Sequence, residues 1–97
     1  MGVRREREHN ERLKRNLKMD IILVFGARSQ TLRCANMLRA SSYMASVTEA
    51  PLRIGGSCAL AVSTDRRGLM FFTRSAGMFS SFMGAYEVRG GKYARIF

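Results

Sequence analysis

Ile21-Ile22-Leu23-Val24-Phe25 is an unbroken run of apolar, largely β-favouring residues that stops at Gly26. Such a run, with no polar alternation, predicts a central strand covered on at least one face by helices. Downstream, Ser29 is placed to cap a helix in which Leu32, Ala35, Met37 and Leu38 recur at helical spacings. Arg28, Arg33 and Arg39 point outward from it, and it should end near Ser41 and Ser42. Tyr43 to Thr48 reads as a second strand, stopped by Pro51, which restricts Ala50 to extended conformations. Gly55-Gly56 supplies a flexible loop, and Ser57-Cys58-Ala59-Leu60-Ala61-Val62-Ser63 reads as a third strand.

Asp65 is positioned to cap a second helix, along which Phe72, Ala76, Phe79 and Met83 keep to one face. Gly77 weakens that helix by about 1 kcal/mol relative to alanine. The stretch from Leu69 to Met83 is apolar, but Arg74 and three serines interrupt it within a length too short to span a bilayer, so it reads as a core helix. Tyr86 to Val88 and Lys92 to Phe97 flank Gly90-Gly91, as a hairpin or as one bent final strand. Strand, helix, strand, loop, strand, helix, strand predicts an α+β sandwich: one mostly antiparallel sheet with two helices on one face, the ferredoxin-like βαββαβ arrangement.

Ninety-seven residues suit one domain, and 46% hydrophobic content with six Phe and seven Met suffices for its core. The domain is expected over residues 19–97. Residues 1–18 are almost wholly polar, and although Glu8 and Arg12 form a favourable i,i+4 pair, no apolar stripe would dock them. A frayed helix or a tail is expected there. Met19-Asp20 then opens a conventional strand, which suggests a natural translation start at Met19; native peptides upstream of it would overturn that expectation.

The formal charge of +10 raises nucleic acid as a partner. Its distribution argues otherwise. Residues 1–18 hold seven basic against three acidic side chains, and the rest of the excess is dispersed, with Arg66-Arg67 and the Arg89 to Arg95 region reading as a solvated basic face. The first strand offers only Phe25 and the third no aromatic, so the paired stacking platform of RNA-binding sheets is missing. Two cysteines are too few for a disulfide scaffold, and the short apolar run after the basic start is neither signal-peptide core nor span; a reduced protein of the cytoplasm is expected, with no membrane association. Ser-His-Asp sets, paired carboxylates and a phosphate loop before a helix are all missing, which argues against hydrolase or kinase chemistry. Two thiols and a single histidine, His9, make no credible metal site, and no cofactor is implied. The apolar excess of Leu69 to Met83 and an open sheet edge leave a protein-interaction module as another reading.

From about Met19 to Val62 the chain resembles the sulfur/selenium carrier-like family of small bacterial and archaeal proteins. The likeness rests on Ile21 to Phe25, on Leu32-Arg33-Cys34-Ala35-Asn36-Met37-Leu38, and above all on Pro51-Leu52-Arg53-Ile54-Gly55-Gly56-Ser57-Cys58-Ala59-Leu60-Ala61. Ala59 stands where the family has glycine, and the likeness fades beyond Asp65. The resemblance implies that Cys58 accepts sulfur or selenium as a persulfide or selenopersulfide from a donor protein and passes it to an acceptor, by stoichiometric transfer rather than enzymatic turnover. Arg53 would lower the thiol pKa, Gly55 and Gly56 would turn N–H groups toward the sulfur, and Ser57 would add a hydrogen bond. Read from the residues alone, Cys58 is a small hydrophobe opening a buried strand. Both readings stand at this point. Cys34, mid-helix among core positions, reads as structural.

Overall fold

A computed structural model describes residues 19–50 and 60–97. The expected tail or frayed helix over 1–18, with its Glu8–Arg12 pair, lies outside the described residues. So do the stop at Pro51, the Gly55-Gly56 loop and the start of the third strand at Ser57.

β1 (Ile21–Phe25) forms as its composition dictates and occupies the centre of the sheet, paired antiparallel with β3 (Leu60–Thr64) on one side and β4 (Phe82–Arg89) on the other. β2 (Ala45–Glu49) adds antiparallel to β3, and β5 (Lys92–Arg95) to β4, giving the order β2-β3-β1-β4-β5. The fold is thus α+β with a five-stranded antiparallel sheet. The fifth strand exceeds the four of the ferredoxin-like expectation. It arises because Gly90 and Gly91, at φ 54° and 78°, supply the two positive-φ positions of a tight hairpin turn, so the hairpin and not the bent strand is realised.

Helix α1 (Arg28–Ala40) and helix α2 (Arg66–Thr73) cover the face that carries Ile21, Leu23 and Phe25. Thr31, Cys34, Ala35 and Leu38 of α1 are buried at i, i+3, i+4, i+7, the stripe that an amphipathic helix presents to a sheet. Their partners include Val62, Ala85 and Phe72. Phe25 sits at the middle of an aromatic group, with ring centroids 5.8 Å from Phe72, 5.6 Å from Phe79 and 5.5 Å from Phe82. On the opposite face Val24, Ala61 and Ala50 form a second buried cluster, against which Ile22 and Tyr86 pack.

Several boundaries move. The residue before α1 is Ala27, which gives no side-chain cap, and Ser29 lies inside the helix. Thr31 Oγ1 instead donates to the Ala27 carbonyl at 3.2 Å, holding the first turn from within. The second strand runs Ala45–Glu49 rather than from Tyr43, because Ser42 at φ 69° and Tyr43 complete the helix end. Asp65 does cap α2, its Oδ1 accepting from Gly68 N–H at 2.8 Å. The second helix, however, stops at Thr73; a short 3₁₀ turn at Ala76–Met78 follows, and Met83 belongs to β4. Ser75, Gly77, Ser80 and Ser81 are poor helix formers, and a bend brings Phe79 and Phe82 back onto Phe72 where a straight helix would carry them past it.

Candidate functional site

Glu49 at the end of β2 pairs with Leu60 at the start of β3, and Leu60 pairs in turn with Phe25, the last residue of β1. The nine residues between Ala50 and Leu60 therefore connect two neighbouring strands at one end of the sheet. Arg53, Gly55, Gly56, Ser57 and Cys58 all belong to that connection and lie outside the described residues.

The described surroundings of that end carry Glu49, which closes β2, and Arg28, which opens α1. α1 begins there, three residues after Phe25, with Arg28 in its first turn, no acidic residue in that turn and no side-chain cap. The partial positive charge of a helix start is thus not compensated from within the first turn. The segment is held in place by Gln30. Its Oε1 accepts from Ser81 N–H at 2.8 Å and Ser81 Oγ at 2.7 Å, and its Nε2 donates to Ser80 Oγ at 2.9 Å. Gly26 N–H donates to the Ser81 carbonyl at 2.8 Å. These bonds tie the start of α1 to the turn before β4.

Cys34 is fully buried in α1, and burial pushes its thiol up to about 12. A thiol so protected from ionisation is a poor nucleophile at neutral pH. It packs as a small hydrophobe within the main core.

A second feature was not singled out by the sequence. Tyr43, Arg67, Met70, Phe71 and Arg74 line an open groove of about 210 Å³ between α2 and the turn after α1. Tyr43 is aimed there by the end of α1, where Tyr43 N–H donates to the Leu38 carbonyl at 2.8 Å and Ser42 N–H to that of Arg39 at 3.0 Å. Those two bonds are the Schellman pattern, with Ser42 as its left-handed residue. The signal was the i, i+3, i+4, i+7 spacing of Arg67, Met70, Phe71 and Arg74, a second stripe on the helix whose core face was read instead. Arg66 and Arg67, read together as one solvated basic face, are separated: Arg66 pairs with the buried Glu87, while the Arg67 guanidinium lies 6.0 Å from the Tyr43 ring centroid.

Among the described residues no group of three or more His, Cys, Asp or Glu is placed to hold a metal ion, and no helix is long and apolar enough to cross a membrane. Comparison with protein families, with curated proteins and with solved structures yields no match to this chain.

Proposed function

We propose that this protein is a thiol carrier that takes up sulfur or selenium on Cys58. What supports the reading is the burial of Cys34 taken together with the position of Cys58 in the sequence. Cys34 is sealed in the core, whereas Cys58 precedes by two residues a strand whose first residue pairs beside the uncapped, Arg28-bearing start of α1. Positive charge and free N–H donors favour a thiolate over a thiol. Arg53, Ser57 and the N–H groups of Gly55 and Gly56 are proposed to assist.

Transfer from a donor persulfide balances without an external oxidant. The Cys58 thiolate attacks the outer sulfur of R–S–SH, a new S–S bond forms on Cys58, the donor S–S bond breaks, and R–S⁻ leaves. The outer sulfur keeps its proton, and an acceptor thiolate repeats the exchange. A donor and an acceptor protein are the proposed partners, and a reducing compartment, which we take to be the cytoplasm, keeps the thiol available. We read the framework as a ferredoxin-like fold extended by β5. What supports this is that β3 lies between β1 and β2, and β1 between β3 and β4, so that two strand-helix-strand units interleave.

The test is incubation of the Cys34→Ser protein with glutathione persulfide followed by intact-mass and peptide analysis. The expected result is a gain of one sulfur atom on Cys58 and a Cys58 alkylation pKa below the ordinary value of about 8.5. An unmodified Cys58, inert to alkylation until the protein unfolds, would refute the carrier.

A further inference from the structure

The groove beside α2 combines two cations with an apolar floor. Met70 is 69% exposed although it sits between Arg67 and Arg74 on the same helix face. Tyr43 and Phe71 pack at 4.8 Å between centroids, with their planes 33° apart, and form the adjoining wall. The two buried carboxylates are already engaged. Asp65 caps α2, and Glu87 holds both Arg66 and Arg89, the latter at 2.6 Å. Among the described residues neither Arg67 nor Arg74 has an ion-pair partner.

We propose that this groove docks a short acidic segment of a partner protein, one carboxylate meeting Arg67, another Arg74, and an apolar side chain between them covering Met70 and Phe71. The volume suits a side chain or two and is below the roughly 300 Å³ at which small-molecule sites begin. Seven helical residues set the two arginine Cα atoms about 10 Å apart, and in an extended segment residues i, i+2 and i+4 share one face over about 13 Å, a difference the long side chains close, so the matching spacing is acid-x-apolar-x-acid. Exposed Met beside Tyr and Arg is an adaptable protein-contact surface. Single-stranded RNA fits less well. Tyr43 is occupied by Phe71 and Arg67, and on the sheet face away from the helices β1 and β3 present Ile22, Val24, Ala61 and Ser63, the rings there being Tyr86, packed against the Val24–Ala61 cluster, and Tyr93 on β5.

The docking site does not depend on the carrier reading, and its test uses the Cys58→Ser protein so that the two fail separately. Fluorescence anisotropy would compare a labelled peptide with Glu-Ser-Leu-Ser-Glu at its centre, its Gln-Ser-Leu-Ser-Gln and Lys-Ser-Leu-Ser-Lys counterparts, and a labelled single-stranded oligouridylate. The acidic peptide should bind saturably and more weakly as salt rises. Arg67→Ala with Arg74→Ala should weaken it about tenfold, and Met70→Ser should weaken it without changing the salt dependence. No saturable binding, equal binding of the three peptides, unchanged binding by the variants, or tighter binding of the RNA would each overturn the proposal.

Discussion

Gly68 lies directly against Thr64, so that a Cβ placed on Gly68 would overlap Thr64 Oγ1. That hydroxyl has no room to retreat, because it donates to the Met44 carbonyl at 2.6 Å and Thr64 is fully buried. The contact lets α2 begin two residues after β3 ends, with Asp65 between them capping the helix at Gly68 N–H. Gly68→Ala is expected to destabilise by about 2 kcal/mol through overpacking. In a Thr64→Ala background the same change should cost less than half as much, and a urea double-mutant cycle would read the coupling. Equal costs in both backgrounds would show that the contact is not what Gly68 is for.

Ser42 carries the left-handed position that ends α1, where glycine or asparagine is the usual occupant. Ser42→Gly removes the Cβ strain and should stabilise by about 0.5–1 kcal/mol, offset in part by a more flexible unfolded chain. A melting temperature raised by a few degrees would confirm it. Because the turn aims Tyr43 at Phe71, Ser42→Pro should disturb both stability and the groove.

The β4–β5 hairpin turns at Gly90-Gly91, with Arg89 and Lys92 as the closing pair. Positive φ at both positions makes Gly90→Asn nearly neutral, within about 0.5 kcal/mol, whereas Gly91→Val should cost about 1–2 kcal/mol. Hydrogen exchange in β5 would rise in the second variant and not the first.

The central strand was legible because Ile21 to Phe25 has no polar residue to assign to solvent, and Asp65 was legible because a carboxylate three residues before a buried N–H has one obvious local use. The second helix misled because Phe72 and Phe79 do share the core, as a helical period requires, but reach it from either side of a bend. Periodicity reports which residues are buried together and not whether the backbone between them is continuous. Glu87 was opaque for a different reason. A carboxylate buried within a strand is explained only by Arg66 and Arg89, and pairing between Glu87 and Arg66, twenty-one positions apart, leaves no trace in local sequence. The groove likewise needs Tyr43 and α2 side by side, which only the tertiary fold supplies. The residues proposed for sulfur transfer were read from a resemblance that runs from about Met19 to Val62 and rests above all on Pro51 to Ala61, and nothing in the described framework would have singled out Cys58 without it.

Cys34 gives a pH-dependent stability whose sign is fixed by its burial. Its folded pKa is raised from 9.0 to about 12 by desolvation, so the folded state holds the thiol proton after the unfolded chain has released it. Below pH 9 both states are protonated and the group contributes no pH dependence. Between pH 9 and about 12 the unfolded state binds fewer protons, so stability falls as pH rises through that window. Urea unfolding of the Cys58→Ser protein should therefore lose stability on moving from pH 8 to pH 10.5 more steeply than that of the Cys34→Ala/Cys58→Ser protein. The latter should be less stable at pH 8 by about 1 kcal/mol for the lost packing. Alkylation of Cys34 in the Cys58→Ser protein should proceed only at the rate of global unfolding. A fast-reacting thiol there, or parallel pH curves for the two proteins, would mean that Cys34 is open to solvent, and the argument that leaves Cys58 as the sole available sulfur acceptor would lose its first step.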